Sequence, residues 1–154
     1  MNKENAKKRI EELKKININI TEEQLKQLEM YYELLVEWNE KINLTAITEK
    51  EEVYLKHFYD SLTLSKAIDL NQELTLCDIG TGAGFPGIPL KIVFPKLKVT
   101  LIDALDKRIK FLDEVINKLG LENIETIHAR AEEYGVKNRE VYDIVTARAV
   151  SNMQ

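Results

Sequence analysis

The pattern of apolar positions changes near Asn71, with helical spacing before it and strands alternating with helices after it. In the first part, Ile10, Leu13 and Ile16 are spaced for one face of a short helix. The other faces of this helix carry the basic side chains Lys3, Lys7, Lys8, Arg9, Lys14 and Lys15. We therefore predict a small helical cap over residues 1–70.

Capping-box patterns mark the starts of two further helices in this cap. Thr21 precedes Gln24 by three residues, and the helix that it opens is expected to reach about Asn39. Thr48 precedes Glu51 in the same way and is predicted to cap a second helical stretch. Periodicity of this kind identifies buried faces only, so it leaves the function of the cap open.

Strands alternate with helices over residues 71–154. Strands are predicted at residues 74–79, 98–103, 124–128 and 142–148. The helix after the first strand is expected to stop at Pro95, and the helix after the second to be capped by Asp106 and closed by Gly120. This alternation predicts an α/β fold with a parallel, Rossmann-like sheet and right-handed crossovers. Because the sequence stops just after the fourth strand, we expect it to contain only the first half of such a domain.

The composition is that of an ordinary globular protein, with 44% apolar residues and a net charge of −4 at pH 7. Charged residues interrupt every apolar stretch long before the ~20 residues that a membrane helix needs. Residues 1–15 also lack the apolar core of a secretory signal. With a single cysteine, Cys77, we expect the reducing environment of the cytoplasm. We also expect a monomer that does not associate with membranes. The acidic balance gives no global sign of nucleic-acid binding.

A glycine-rich turn follows the first predicted strand, running from Asp78 to Gly87 as DIGTGAGFPG. Glycines at such a turn let backbone N–H groups and a helix N-terminus approach a ligand closely. Gly80, Gly82 and Gly84 fit the G-x-G-x-G pattern of S-adenosylmethionine enzymes. The triplet of Gly82, Gly84 and Gly87 fits the G-x-G-x-x-G pattern of dinucleotide-binding proteins equally well. The turn alone leaves both cofactors open.

Residues near the other strand ends favour the methyl donor. Asp103 ends the second strand, where a carboxylate accepts hydrogen bonds from ribose hydroxyls in both classes. Asp78, however, occupies a position from which methyltransferases orient the loop, and dinucleotide folds usually have an apolar residue there. The third strand leads into Ala131 and Glu132, close to where adenine is expected. If the strands are arranged in the order 3-2-1-4, one small molecule is expected to be surrounded by Gly80, Asp103, Ala131, Glu132 and Arg148, which predicts an S-adenosylmethionine site.

Three blocks are more specific than a generic glycine loop: WNEKINLTAI at residues 38–47, HFYDSL at residues 57–62, and DIGTGAGFPGIP at residues 78–89. They resemble the signatures of the ribosomal RNA small subunit methyltransferase G family, also known as the glucose-inhibited division protein B family. The resemblance covers most of the chain. The family continues into further strands beyond the fourth, so the chain is expected to be truncated at its C-terminus.

The resemblance implies a bacterial enzyme that transfers a methyl group from S-adenosylmethionine to N7 of a guanine, position 527 of 16S ribosomal RNA. Its partner would be small-subunit ribosomal RNA or the ribosomal subunit. Motif match places the following residues in the cofactor site: Gly80, Phe85, Ala131, Glu132 and Arg148, completed by Asp103 and its neighbours. The resemblance identifies no metal ligand and no catalytic side chain.

The residues are compatible with methylation of a ring nitrogen. Guanine N7 already carries a lone pair, so alignment and desolvation can supply most of the catalysis. The fourth strand leads into TARAV at residues 146–150, whereas methyltransferases of exocyclic amines use an Asn-Pro-Pro-Tyr type of motif. Cys77 lies inside the first strand and is predicted to be a small core residue rather than a nucleophile.

Several alternatives remain open from the sequence. The chain could be a nicotinamide-dependent oxidoreductase, or a cofactor-binding or regulatory fragment without activity. The basic residues Lys107, Arg108 and Lys110, like those of the first helix, either bind phosphates or form solvated helix faces. His57 either touches RNA or cofactor, or bonds locally. Trp38 is predicted to be a core residue.

Overall fold

The structure, a computed structural model, describes residues 2–130, 132 and 141–147. Four parallel strands form one sheet, as predicted, and their order is β3-β2-β1-β4. The strands are β1 (Thr75–Ile79), β2 (Lys98–Asp103), β3 (Ile124–His128) and β4 (Ile144–Thr146). Since all four run in the same direction, their carboxyl ends lie along one edge of the sheet, which is called the carboxyl edge below.

Six α-helices accompany the sheet within the described residues. They are α1 (Lys3–Lys14), α2 (Glu22–Asn39), α3 (Lys50–Val53), α4 (Asp60–Leu62), α5 (Gly87–Val93) and α6 (Asp106–Leu119). A π-helical segment, Tyr54–Tyr59, joins α3 to α4, and a 3₁₀ segment, Thr63–Lys66, follows α4. The capping box at the start of α2 is confirmed, because Thr21 and Gln24 exchange hydrogen bonds of 2.9 and 3.1 Å. Gly120 closes α6 in the left-handed conformation, as expected.

Two predicted helix caps are wrong. The α3 cap is Glu49 rather than Thr48: its carboxylate accepts hydrogen bonds from the first backbone N–H groups of the helix. Asp106 is the first helical residue of α6 rather than its cap; Leu105 occupies the cap position without a side-chain hydrogen bond. Both errors are shifts of one residue, which sequence patterns do not resolve because several polar residues compete at a helix start.

Helix α2 joins the cap to the sheet layer. The Gln24 side chain donates hydrogen bonds to the carbonyls of Ile92 and Val93, at 3.1 and 3.3 Å. Trp38 packs against Phe111 of α6 with ring centroids 5.7 Å apart, in agreement with its predicted core position. A single cluster of buried apolar side chains therefore runs from α1 and α2 through α5 and α6 to β1 and β2. Whether residues 1–70 and 71–154 act as separate domains stays a prediction.

Arg9 differs from its prediction as part of the solvated face of α1. Its side chain is buried, and its guanidinium donates two hydrogen bonds, of 2.8 and 2.7 Å, to the carboxylate of Glu51. The same guanidinium lies 3.9 Å from the ring centroid of Tyr54. Arginine tolerates such a site because its planar group pairs bidentately with a carboxylate while stacking on an aromatic face. Among the described residues, no helix combines the length and apolar character needed to cross a membrane.

Candidate functional site

The glycine-rich turn leaves β1 at the carboxyl edge in a conformation that requires glycine. Gly80, Gly82 and Gly84 have φ angles of 67°, 60° and 102°, in the left-handed region that other residues rarely adopt. The backbone N–H of Thr81 donates to the carbonyl of Ile102 in β2, at 3.0 Å. The turn is therefore held against the neighbouring strand from its first residues. Residues 80–87, which the sequence predicts to bind a cofactor, are called the cofactor loop below.

Asp78 holds this loop from beneath. Its side chain is fully buried at the end of β1. One carboxylate oxygen accepts hydrogen bonds from the Thr81 hydroxyl and the Gly87 backbone N–H, at 2.8 and 2.9 Å. The other accepts from the Thr146 hydroxyl of β4 at 3.1 Å. Since a charge-assisted hydrogen bond is roughly twice as strong as a neutral one, Asp78 fixes both ends of the loop to the sheet.

Asp103 ties the tip of the loop to the end of β2. One of its carboxylate oxygens accepts a hydrogen bond from the Gly82 N–H at 2.8 Å, and the other accepts one from the Leu105 N–H at 3.0 Å. The Arg108 guanidinium lies 3.6 Å away. The side chain is only 3% exposed, so these donors compensate for most of the lost hydration. The predicted neighbours Gly82 and Asp103 are thus brought together.

The glycines of the loop serve different purposes. A Cβ atom on Gly84 would lie 2.7 Å from both the Tyr31 hydroxyl oxygen and the Ile88 Cδ1 atom, and one on Gly87 would lie 2.4 Å from a methyl of Leu101. These two glycines permit close packing. A Cβ atom on Gly82 would meet no atom of the described residues within 4 Å. The Gly82 face of the loop therefore borders open space, where a ligand can approach the backbone.

Phe85 was predicted to line the cofactor site, and the structure places its ring on the cap side of the loop. The ring is 7% exposed and lies among the rings of Tyr31, His57 and Phe58. Its role toward a cofactor stays a prediction. Glu132 is exposed, while Ala131 and Arg148 lie outside the described residues.

Sequence reasoning missed three contacts of the loop, two hydrogen bonds and one ring stacking. Thr81 binds Asp78, the Tyr31 hydroxyl donates to the Ala83 carbonyl at 2.5 Å, and His57 stacks on Phe85. A threonine between two glycines, three residues after a buried aspartate, is a local signal that could have revealed the first contact. The other two join residues 52 and 28 positions apart in sequence, and Tyr31 has the spacing of an ordinary apolar position in α2. No local signal identifies them.

Cys77 is a buried core residue, as predicted, with 1% of its surface exposed. Burial, and secondarily the neighbouring Asp78 carboxylate, raises the pKa of its thiol to about 12. No group of three or more potential metal-binding side chains occurs within residues 2–130, 132 and 141–147.

We expect the Cys77 thiol to be inert in the folded protein. With a pKa near 12, only about one thiol in ten thousand is ionised at pH 8, and the thiolate is the reactive form. An aromatic disulfide reagent should therefore react at least ~100-fold more slowly with the native chain than with the chain unfolded in guanidinium. Cys77 is the only cysteine, so the released chromophore reports this thiol alone. Rapid labelling of native protein would contradict its assignment to the core.

Comparison with known proteins agrees with the family resemblance found in the sequence. A family model described as rRNA small subunit methyltransferase G matches residues 24–154. A protein named ribosomal RNA small subunit methyltransferase G from Staphylococcus carnosus is 57% identical over 147 residues, which is 94% of this chain and 61% of that protein. A protein of the same name from Lysinibacillus sphaericus is 56% identical over 97% of this chain and 63% of its own length. The chain thus spans about three fifths of the length of these curated relatives.

Solved structures resemble the fold. A precorrin-6y C5,15-methyltransferase from Geobacter metallireducens superposes with a TM-score of 0.51 and 24% identity, over 69% of this chain and 50% of that chain. A putative caffeoyl-CoA O-methyltransferase from Staphylococcus aureus superposes with a TM-score of 0.52 and 19% identity, over 74% and 51%. The predicted class I methyltransferase fold, with a helical cap N-terminal to the sheet, is confirmed.

Proposed function

Because this chain belongs to the rRNA small subunit methyltransferase G family, we propose that it forms the cofactor-binding part of an enzyme that methylates guanine N7 in small-subunit ribosomal RNA. The cofactor is S-adenosylmethionine, and the target is the guanine at position 527 of 16S ribosomal RNA. We further propose that the enzyme works in the cytoplasm as a monomer, on RNA or on a ribosomal subunit.

The single observation that carries the cofactor assignment is the junction between the cofactor loop and Asp103. The Gly82 face of the loop borders open space, so a ligand can reach backbone polar groups there. Each oxygen of the Asp103 carboxylate accepts one backbone hydrogen bond, and an ionised carboxylate has about four acceptor positions. Asp103 therefore retains the capacity to accept hydrogen bonds from two ribose hydroxyls. These residues fit the nucleoside part of S-adenosylmethionine.

The proposed reaction requires no side chain to remove a proton from the substrate. When bound, S-adenosylmethionine supplies a methyl group activated by a positively charged sulfur. The N7 lone pair of guanine forms the new C–N bond as the S–CH₃ bond breaks, so no proton has to be removed first. Asp78 already accepts hydrogen bonds from the loop and from β4, which suits it to positioning rather than to acid–base work. The chain's contribution is to hold the loop, exclude water and align the reactants.

The RNA substrate is supported by the family rather than by charge. Lys107 and Arg130 are exposed near the carboxyl edge, where they could approach phosphates. Lys110, by contrast, lies 3.3 Å from the Asp106 carboxylate, and Arg108 faces Asp103. Of this predicted basic group, Lys107 is the residue whose charge is most available to an anion.

The proposal is tested by calorimetry and by transfer of a labelled methyl group. The 154-residue chain, and a version completed with the C-terminal segment of the Staphylococcus carnosus relative, are titrated with S-adenosylmethionine and with NAD. We expect S-adenosylmethionine alone to bind, and the completed protein to label small-subunit RNA. Small-subunit RNA carrying 7-deazaguanine at the target position is the matched control, since it lacks only the accepting nitrogen and should remain unlabelled. Binding of NAD instead, or labelling of the control RNA, would contradict the proposal.

A further inference from the structure

His57 lies in an irregular helix next to the cofactor loop. The segment Tyr54–Tyr59 is π-helical and interrupts the chain between α3 and α4. π-Helical turns are rare and often occur at functional sites, because they rotate side chains away from the register of an α-helix. His57 belongs to the HFYDSL block at residues 57–62, which the proposed function has not used.

The imidazole of His57 joins two loops that are far apart in sequence. A hydrogen bond of 2.8 Å links its Nε2 atom to the hydroxyl of Thr45. Its ring stacks on the ring of Phe85, with centroids 4.4 Å apart and planes 13° from parallel. Phe85 is part of the cofactor loop, so one side chain connects that loop to the end of the cap.

Thr45 is itself held firmly. It lies in the segment of residues 40–48 that follows α2, which we name the cap loop. The Asn39 side-chain oxygen accepts hydrogen bonds from the backbone N–H groups of Leu44 and Thr45, at 2.8 and 3.0 Å. The Thr45 hydroxyl also accepts a hydrogen bond from the Ile47 N–H at 3.0 Å. The cap loop thus presents a fixed hydroxyl to His57 rather than a mobile one.

Backbone hydrogen bonds also fix the position of Phe85 in the cofactor loop. The backbone N–H groups of Gly84 and Phe85 both donate to the carbonyl of Thr81, at 3.0 and 3.3 Å, and these bonds close the turn of the cofactor loop. The Phe85 ring extends from this turn into the cap, where Tyr31 and His57 contact it. A displacement of the His57 ring would therefore be transmitted to the turn that carries Gly82.

We propose that His57 is a positioning residue for the cofactor site. Its hydrogen bond to Thr45 orients the imidazole, and the oriented imidazole holds Phe85 and the cofactor loop in the conformation that accepts the ligand. The identity of that ligand as S-adenosylmethionine rests on the proposed function. In this role His57 acts through its contact with Phe85.

The test uses two variants that remove the hydrogen bond between Thr45 and His57 and one that can retain it. Thr45→Val replaces the hydroxyl by a methyl group, His57→Leu removes the ring, and His57→Gln retains a group able to bond Thr45. Thr63→Val is the matched control, because the exposed Thr63 hydroxyl donates to the Asp60 carbonyl, away from the His57 ring. Thermal unfolding of each variant identifies those that remain folded, and only these are compared.

The first readout needs no ligand. Amide hydrogen exchange at Gly84 and Phe85 should accelerate about tenfold in Thr45→Val and in His57→Leu, because the turn opens more often when Phe85 is less constrained. Exchange at Leu90 and Phe94 in and after α5 should stay unchanged, as should all four amides in Thr63→Val. Equal acceleration throughout α5 would indicate a merely structural role and overturn the proposal, as would unchanged exchange at Gly84 and Phe85.

The second readout is S-adenosylmethionine affinity by calorimetry. We expect Thr45→Val and His57→Leu each to weaken binding about five- to tenfold. The double variant should bind no more weakly than the weaker single variant, because Thr45 acts on the loop only through the His57 ring. His57→Gln should recover part of the loss. Additive losses, or unchanged affinity in folded variants, would overturn the proposal. If the unsubstituted chain binds no S-adenosylmethionine, the proposed function fails, and the exchange measurement still decides the role of His57.

Discussion

Replacing Asp103 with asparagine is expected to weaken S-adenosylmethionine binding by at least about tenfold. Both oxygens of the carboxylate already accept a backbone hydrogen bond, one from Gly82 and one from Leu105. An amide has only one oxygen, so its NH₂ group must face one of the two N–H donors. Asp103 therefore loses one of these two hydrogen bonds, and the ribose hydroxyls lose an ionised acceptor.

The same substitution should lower the stability of the free protein by about 1 kcal/mol, because a partly buried N–H group loses its partner. Asp106→Asn is the matched control: Asp106 is an exposed carboxylate three residues later, paired with Lys110 at 3.3 Å. It should change affinity less than about twofold, since exposed ion pairs contribute little. Calorimetric titration and thermal unfolding of both variants measure the difference. Unchanged affinity in Asp103→Asn would remove Asp103 from the cofactor site.

Gly84→Ala is expected to destabilise the protein by about 2–4 kcal/mol without any ligand present. The added methyl would lie 2.7 Å from the Tyr31 hydroxyl oxygen and 2.7 Å from Ile88 Cδ1. Tyr31 cannot easily withdraw, because it is fully buried, bonded to the Ala83 carbonyl and stacked on Phe58 at 5.3 Å. The φ of 102° adds backbone strain for any residue with a Cβ atom.

Gly82→Ala provides the comparison within the same loop. Its φ of 60° is also unfavourable for alanine, but its Cβ atom would meet nothing within 4 Å in the part of the chain that the structure describes, so the cost should be about 1 kcal/mol. The melting temperature of Gly84→Ala should therefore lie about 2–10 °C below that of Gly82→Ala for a chain of this size. Gly82→Ala should instead act on cofactor affinity, because its methyl occupies the open side of the loop. Equal melting temperatures would show that packing of the cap does not require glycine at position 84.

Much of the fold was predictable because its signals are local. The periodicity of α2, its capping box at Thr21 and Gln24, and the glycine that closes α6 each lie within a few residues of the feature they specify. The parallel pairing followed from the alternation of strands and helices, since right-handed crossovers leave few arrangements. Strand ends were less reliable: β4 is described as Ile144–Thr146, within the predicted residues 142–148.

The candidate site was predictable in part for the same reason. Glycines with positive φ, and carboxylates at the ends of β1 and β2, are specified by position relative to a strand, so Asp78, Gly82 and Asp103 could be named as candidate site residues, and the structure places Gly82 next to Asp103. The direction of the Phe85 side chain was not. Its backbone belongs to the loop, but its ring packs into the cap, which depends on residues such as Tyr31 and His57 that lie 28 or more positions earlier.

By itself, then, the sequence determined the order of elements, the glycine conformations of the cofactor loop and the position of the acidic groups, because steric limits on φ and hydrogen bonding at strand ends act over a few residues. The tertiary structure decided which polar groups are buried together: Arg9 with Glu51, Tyr31 with the Ala83 carbonyl, and His57 between Thr45 and Phe85. Such pairs form because a polar group that loses water must find a partner, and the nearest partner is set by packing of the cap on the sheet rather than by proximity in sequence.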